Sequence, residues 1–300
     1  MSDEEFGGIK AWDGFGHGTH VSGIIAGSGR ASHGAHTGIA PSQEIVDVRV
    51  IGNEGYGYTS DLIAAIDWVI ANRKKYKIRI ANLSLGHPPF EPYWRDPLCA
   101  AVRRMVEAGI VTVVSAGNLG RIDGFEPIFG GITSPGIEPT VITVGAINNR
   151  GTISHTDDIA TSYSSRGPTT SGLLKPDLVA PGNQIPSLLA PYSWIAEKYW
   201  DPAHGTQYVY LSGSSMATAM VSGAVAQMLE ANKRLTPGLV KMILLLTSVK
   251  LQNPRILEQG NGMLNIKSAV DLAEAINVKK RKVKKQVSPV WFIGEDPEFC

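Results

Sequence analysis

The sequence has few cysteines, no long apolar run and almost no net charge, and each shortage excludes a class of protein. Two cysteines, Cys99 and Cys300, cannot hold together a disulfide scaffold, and we expect no bridge between them. No stretch of 18 or more apolar residues occurs, so we expect no membrane span, and the first residues lack the basic and apolar regions of an export signal. The net charge of +1 gives no reason to expect a nucleic-acid partner.

What the chain does have is length and apolar content. Its 300 residues, 43% of them hydrophobic, can bury one large core, so we expect one globular domain over residues 1–277. The last part, residues 278–300, differs because residues 279–285 include six basic side chains in seven. Such a run is typical of a solvated tail rather than of a nucleic-acid or lipid contact.

Strand-like and helix-like segments alternate in the first half of the chain. Short apolar runs rich in β-branched residues predict strands at 44–51, 77–83, 109–114 and 140–145. Between them, residues 61–71 place Leu62, Ile63, Ile66, Val69 and Ile70 on one helix face, with Thr59 or Ser60 as the N-cap. A second helix is predicted to begin at Asp96-Pro97 and to end before Gly109.

This order predicts an α/β fold with three layers, in which helices cover both faces of a mostly parallel central sheet. Ligands of such sheets bind at the carboxyl ends of the strands. Polar or small residues follow two of the predicted strands there, at 84–86 and at 115–118. We therefore expect both segments to reach a ligand at that edge.

Two segments of the chain carry groups for nucleophilic chemistry. Ser214 and Ser215 open a predicted helix that extends to Ala231, where free backbone N–H groups and the helix dipole favour negative charge. By composition alone, the more common role of such a serine is only that of an N-cap. The other segment holds His17 and His20 at a loop-to-helix junction, and these two could also be a metal pair or packed histidines.

Three separated blocks resemble the subtilisin-like serine peptidases (subtilases, peptidase family S8). These blocks are His-Gly-Thr-His-Val-Ser-Gly at 17–23, Ser-Ala-Gly-Asn at 115–118 and Gly-Ser-Ser-Met-Ala-Thr at 213–218. Further similar segments follow the family order, among them Ser-Ser-Arg-Gly-Pro at 164–168 and Lys-Pro-Asp-Leu-Val-Ala-Pro-Gly at 175–182. The resemblance covers residues 11 to about 275.

The resemblance implies a serine endopeptidase that acts through an acyl-enzyme on extended polypeptides. It makes Ser215 the nucleophile, His17 the general base and Asn118 an oxyanion donor. It assigns substrate binding to Ser84, Leu85, Gly86, Ser115, Ala116 and Gly117, where an extended peptide would add as a strand. It also implies a monomer outside the cytoplasm. Calcium is common in the family as a structural ion, but no dense carboxylate loop here supplies its ligands, and no metal ligand is assigned.

The chain departs from the family pattern at the nucleophile and at the triad. Ser214 stands where Thr is usual, and Ala219-Met220 where Pro-His is usual, which predicts altered packing rather than lost chemistry. The family's catalytic Asp ends a buried strand about thirty residues before the histidine, whereas only sixteen residues precede His17. Asp3, Glu4 and Glu5 follow no apolar strand, and the turn to His17 makes Asp13 a poor partner for the imidazole.

Two explanations of the missing Asp remain open. Either coding sequence upstream supplies the first strand and its Asp, or the protein is a short form that binds peptides without cutting them. Loss of this Asp alone costs a subtilisin about 3 × 10⁴ in kcat, so we expect the 300 residues by themselves to be nearly inactive. We also expect them to fold poorly, because a central strand would be absent. A lipase-type hydrolase is excluded by the order of His and Ser and by the lack of Gly-x-Ser-x-Gly.

Residues 183–207 form a connection that is longer than the family's usual one and rich in aromatic side chains: Tyr192, Trp194, Tyr199 and Trp200. These residues could form the wall of a substrate subsite near Ser215. They could equally be a satellite cluster packed under a long loop.

Overall fold

The computed structural model describes residues 12–121, 126–201, 205 and 207–278, and the basic segment 279–285 lies outside them. The helices are α1 (His17–Ala26), α2 (Thr59–Asn72), α3 (Pro97–Glu107), α4 (Trp194–Tyr199), α5 (Ser214–Ala231), α6 (Pro237–Thr247), α7 (Ile256–Gln259) and α8 (Ile266–Ala275). The strands are β1 (Ile80–Leu83), β2 (Val111–Ser115), β3 (Ile142–Asn148), β4 (Ile159–Ala160), β5 (Leu178–Pro181), β6 (Ile185–Leu188) and β7 (Tyr208–Leu211).

The main sheet is mostly parallel, as predicted. β1, β2, β3 and β5 run side by side in the same direction, and only the short β4 pairs with β3 antiparallel. The register places Ala81 opposite Thr112 and Val113 opposite Ile142. Three predicted strands are therefore confirmed, with bounds shifted by one to three residues.

Helices cover both faces of this sheet, which confirms the three-layer α/β architecture. Successive residues of a strand point to opposite faces, so Val113 packs with α5, α6 and α8, whereas Val114 packs with α2 and α3. Helix α5 lies in the centre of the layer that it forms with α6 and α8, and 14 of its 18 residues are buried. Its N-terminus is thereby held at one edge of the sheet.

Helix starts follow the capping signals in the sequence, with one exception. The Asp96 carboxylate accepts hydrogen bonds from the N–H groups of Leu98 and Cys99 at the start of α3, and Gly109 follows its end with a φ of +89°. At the start of α2, neither predicted cap residue is the N-cap. Tyr58 takes that position, and its carbonyl accepts the first backbone hydrogen bonds of the helix.

The predicted strand at 44–51 was wrong. These residues form no ladder with any described strand, and Ile45 and Val46 are 36% and 40% exposed. The segment has no strand to pair with. β1 is the edge strand of the main sheet, and its outer side pairs with no strand among the described residues. β1 is accordingly less buried than β2. A segment with strand composition but no neighbour cannot satisfy its N–H and C=O groups in a ladder.

A second, smaller sheet lies beside α1. β6 and β7 form an antiparallel pair, with α4 in the connection between them. Val21 and Ile24 of α1 pack with Ile185 of this pair and with Met216 of α5. In the part of the chain that the structure describes, no helix combines the length and apolarity needed to cross a membrane.

Candidate active site

Helix α1 begins at His17 because of two residues just before it. Gly16 has a φ of +97°, and a Cβ there would lie 2.6 Å from the Ser193 Oγ, so only glycine fits. Asp13 then caps the helix: its Oδ1 accepts from the Gly16 N–H at 2.7 Å and its Oδ2 from the N–H and hydroxyl of Thr19 at 2.8 Å. The start of α1, and with it His17, is fixed by these contacts.

The Asp13 carboxylate is a cap rather than a partner of the His17 imidazole. Among residues 12–278, with the gaps given above, no carboxylate hydrogen bonds to His17. Burial lowers the pKa of His17, and the charge of Asp13 acts in the opposite direction. Burial acts to raise the pKa of Asp13, but its hydrogen bonds from Gly16 and Thr19 outweigh this and the pKa is lowered. The imidazole is therefore held neutral at neutral pH, which is the form a general base needs.

His20 has a structural position rather than a place in a metal pair. It is fully buried, and its Nε2 lies 3.1 Å from the carbonyl oxygens of both Ile185 and Val209, which joins α1 to β6 and β7. Burial lowers its pKa to about 4. In the described residues, no three His, Cys, Asp or Glu side chains cluster, so calcium stays without assigned ligands.

Asn118 is anchored to the first residue of α5. Its Oδ1 accepts from the Ser214 N–H at 2.9 Å and from the Ser214 hydroxyl at 3.0 Å. Because both partners are donors, the oxygen of the amide must face them, and the NH₂ group is held on the other side. The exposed Asn118 thus turns its NH₂ donors away from Ser214. The Ser214 hydroxyl helps to hold this orientation of the amide.

Ser215 lies in the first turn of α5 and is 8% exposed. Its hydroxyl donates to the Ser84 carbonyl at 3.2 Å, and the Ser84 hydroxyl donates back to the Ser215 carbonyl at 2.9 Å. This exchange joins the end of β1 to the start of α5. No hydrogen bond joins Ser215 to His17 in this arrangement, although α1 and α5 pack against each other through Val21, Met216 and Ala219.

The predicted substrate-binding segments lie at the expected edge of the sheet. Ser84, Leu85 and Gly86 follow β1, and Gly86 is exposed. Ser115 is the last residue of β2, and its hydroxyl lies 3.5 Å from the Leu85 carbonyl. Ala116 is fully buried, and its N–H and C=O bond to Val144 and Thr133. Contact of either segment with a substrate stays a prediction.

Sequence reasoning missed three functional contacts of the site. Ser84 and Ser215, which exchange hydrogen bonds, are 131 residues apart in the sequence. The Ser214 hydroxyl and its partner Asn118 are 96 residues apart. Only the presence of a hydroxyl residue directly before Ser215 in the sequence could have indicated the role of Ser214. The third is the Phe15 ring, whose centroid lies 6.5 Å from that of His17.

Comparisons with known proteins agree with this geometry. A sequence model of the subtilase family, Peptidase S8, matches residues 3–262. Serine protease AprX of Bacillus subtilis (strain 168) is 38% identical over 266 residues, which cover 87% of this chain and 59% of that protein. Subtilisin E of the same organism is 32% identical over 257 residues, covering 86% of this chain and 56% of that protein.

Pyrolysin of Pyrococcus furiosus is a more distant relative. It is 29% identical over an alignment of 331 positions, which covers 90% of this chain and 22% of that protein. The chain therefore spans between about a fifth and three fifths of the length of these relatives. The family model matches most of the chain, and the mostly parallel sheet agrees with it, so the chain belongs to the subtilase family.

Proposed function

We propose that this protein is a serine endopeptidase with Ser215 as nucleophile, His17 as general base and Asn118 as oxyanion donor. The observation that carries the proposal is the anchoring of Asn118 by Ser214. Because Ser214 occupies the amide oxygen, the NH₂ group is the part of Asn118 that remains to donate to a substrate oxyanion. Preorganised donors of this kind are a large part of the catalysis of acyl transfer.

The proposed reaction has two halves. In the first, Ser215 Oγ forms a bond to the carbonyl carbon while His17 takes the hydroxyl proton, and the Asn118 NH₂ and the Ser215 N–H stabilise the oxyanion. The C–N bond then breaks, and His17 gives its proton to the leaving amine. In the second, a water molecule attacks the acyl carbon while His17 takes its proton. The C–O bond to Ser215 then breaks, His17 returns the proton to the Ser215 Oγ, and the acid is released.

The third member of the triad is proposed to come from outside the described residues. Both oxygens of the nearest carboxylate, Asp13, are already bonded to Gly16 and Thr19. We infer that residues 1–300 alone have low activity and that an Asp from a contiguous upstream segment restores it. In the same proposal, residues 1–277 form the catalytic domain, the substrates are extended polypeptides, and the protein acts as a monomer outside the cytoplasm.

A second candidate function is peptide binding without cleavage. It is favoured by the hydrogen bond of the Ser215 hydroxyl to Ser84 and by the lack of a described carboxylate on His17. A fluorophosphonate probe, which modifies an activated serine, distinguishes the two candidates. It is applied to the protein expressed with any in-frame sequence that precedes Met1.

The enzyme proposal expects labelling that is lost in Ser215→Ala and kept in Ser222→Ala. Ser222 is a matched control because it lies on the same helix and its hydroxyl bonds to Asn82 instead. Absence of labelling in the folded wild type would overturn the enzyme proposal and favour the binding protein.

A further inference from the structure

The segment with α4 is attached directly to the loop that carries His17. The Trp194 N–H donates to the Gly14 carbonyl at 2.8 Å, and the Ile195 N–H lies 3.1 Å from the Phe15 carbonyl. The side chain of Ser193 lies against Gly16. The aromatic connection therefore lies beside the proposed general base.

Three aromatic rings of this region follow one another outward from His17. Phe15 stacks on Trp194 with 5.3 Å between ring centroids and 22° between planes. Trp194 meets Tyr199 edge to face at 5.9 Å. Trp194 remains 42% exposed and Tyr199 51%. Aromatic pairs at these distances are mutually held, so the exposed ring faces are offered in a fixed arrangement.

Packing of the segment alone does not explain these exposed rings. Its buried contact is made by Ile195, which is 4% exposed and packs with Leu189 and Val209. Ser193 caps α4 through a hydrogen bond from the Ala196 N–H at 3.1 Å. The segment is thus anchored by Ile195 on one side, while Trp194 and Tyr199 leave apolar surface in water on the other. Exposed aromatic surface beside a reactive centre is characteristic of a binding site.

We propose that Phe15, Trp194 and Tyr199 form a subsite for a large apolar side chain on the leaving-group side of the scissile bond. The inference rests on the proposed function for its orientation. In that reaction His17 protonates the leaving amine, so the chain that departs must pass His17. The rings adjoining His17 then contact the first residues after the scissile bond.

Binding and cleavage are tested separately. Binding is measured by fluorescence polarisation in the Ser215→Ala background, with labelled hexapeptides that carry either one Phe or Ala at the same position. We expect about tenfold tighter binding of the Phe peptide, a ratio that falls close to one after Trp194→Ala and is kept by Trp194→Phe. Circular dichroism and thermal melting verify that each variant is folded.

Trp200→Ala is the matched control. Trp200 lies in the same segment and is similarly exposed, at 48%, but its indole N–H bonds to the Gly205 carbonyl. It should leave the ratio unchanged. A ratio near one in the parent, or a ratio that survives Trp194→Ala, overturns the subsite.

The active protein is then used to digest a peptide library. Loss of the preference for large apolar residues after the cut in Trp194→Ala supports the subsite, and an unchanged preference overturns it. If the Phe peptide binds more tightly but no fluorophosphonate labelling occurs, the proposal of an endopeptidase is refuted. The three rings are then supported as a peptide-binding surface. Labelling without Phe-dependent binding would refute the subsite alone.

Discussion

Ser84 and Ser215 exchange hydrogen bonds, each hydroxyl donating to the other residue's carbonyl, at 2.9 and 3.2 Å. The bond donated by Ser84 fixes the backbone of the proposed nucleophile. The bond donated by Ser215 directs its hydroxyl to the Ser84 carbonyl rather than to His17. Catalytic hydrogen bonds are often loose before substrate binds.

Removing the Ser84 hydroxyl should slow the reaction of Ser215. One hydrogen bond contributes about 1 kcal/mol, so Ser84→Ala is expected to reduce the rate of fluorophosphonate labelling roughly five- to tenfold. Ser84→Thr keeps the hydroxyl and serves as the control. An unchanged rate in Ser84→Ala would show that the Ser84 hydroxyl does not position Ser215.

Asn118 can be tested with two variants that differ in one property. Asn118→Asp keeps an oxygen for the Ser214 donors but loses the NH₂ group, whereas Asn118→Ala loses both. Loss of one such donor costs about 10²–10³ in kcat in a subtilisin, and we expect a similar drop for each variant. Peptide binding in the Ser215→Ala background should be nearly unchanged by Asn118→Asp. A drop in binding equal to the drop in kcat would indicate a role in the ground state instead.

The pH dependence of labelling should follow His17. Labelling requires neutral imidazole, so the rate rises as pH increases through the pKa of His17. Burial acts to lower this pKa, and the charge of Asp13 acts to raise it. Asp13→Asn removes the charge that raises this pKa, so the acid limb should move to still lower pH. Asp61→Asn, in the first turn of α2, is the control. A shift to higher pH would contradict the assignment.

Burial of His20 should make the fold sensitive to acid. Its pKa is about 4 in the folded chain and about 6.5 when unfolded, so the unfolded state binds the proton more tightly between these values. The contribution is fully present above pH 6.5 and is lost as pH falls to 4, by roughly 3 kcal/mol in the free energy of unfolding. Urea unfolding at several pH values measures it. His20→Gln should flatten this part of the profile, whereas His33→Gln, at an exposed position, should not.

A buried cluster of charged side chains, Asp177 with Lys175 and Lys241, should contribute to the free energy of unfolding. Asp177 accepts from Lys175 at 2.6 Å and lies 3.0 Å from the Lys241 Nζ, and burial lowers the pKa of Lys241 to about 7. Asp177→Asn leaves the two buried lysine amines without their shared counter-charge, which should cost about 3–5 kcal/mol in urea unfolding. The matched surface variant, Asp271→Asn, removes the partner of Lys267 and should cost less than about 1 kcal/mol. Equal losses would contradict the importance of burial.

The fold was predictable where local signals agree with their surroundings. The cap of α3 and the apolar runs of β1 to β3 were identified because each signal lies within a few residues. The segment 44–51 has the same composition but no neighbouring strand, and composition does not report a partner. In the site, His17, Asn118 and Ser215 came from the resemblance. The contact of Phe15 with Trp194 spans 179 residues and has no local signal.

The outer edge of β1 has a consequence for handling the protein. An edge strand presents a row of N–H and C=O groups that any extended chain can pair with, including another copy. The exposed Ile45 and Val46 add apolar surface with the composition of a strand. We expect self-association through these groups to increase with protein concentration, and a peptide strand that occupied the edge to compete with it. The yield of monomer on refolding therefore depends on dilution, because intermolecular pairing and folding draw on the same hydrogen-bonding groups.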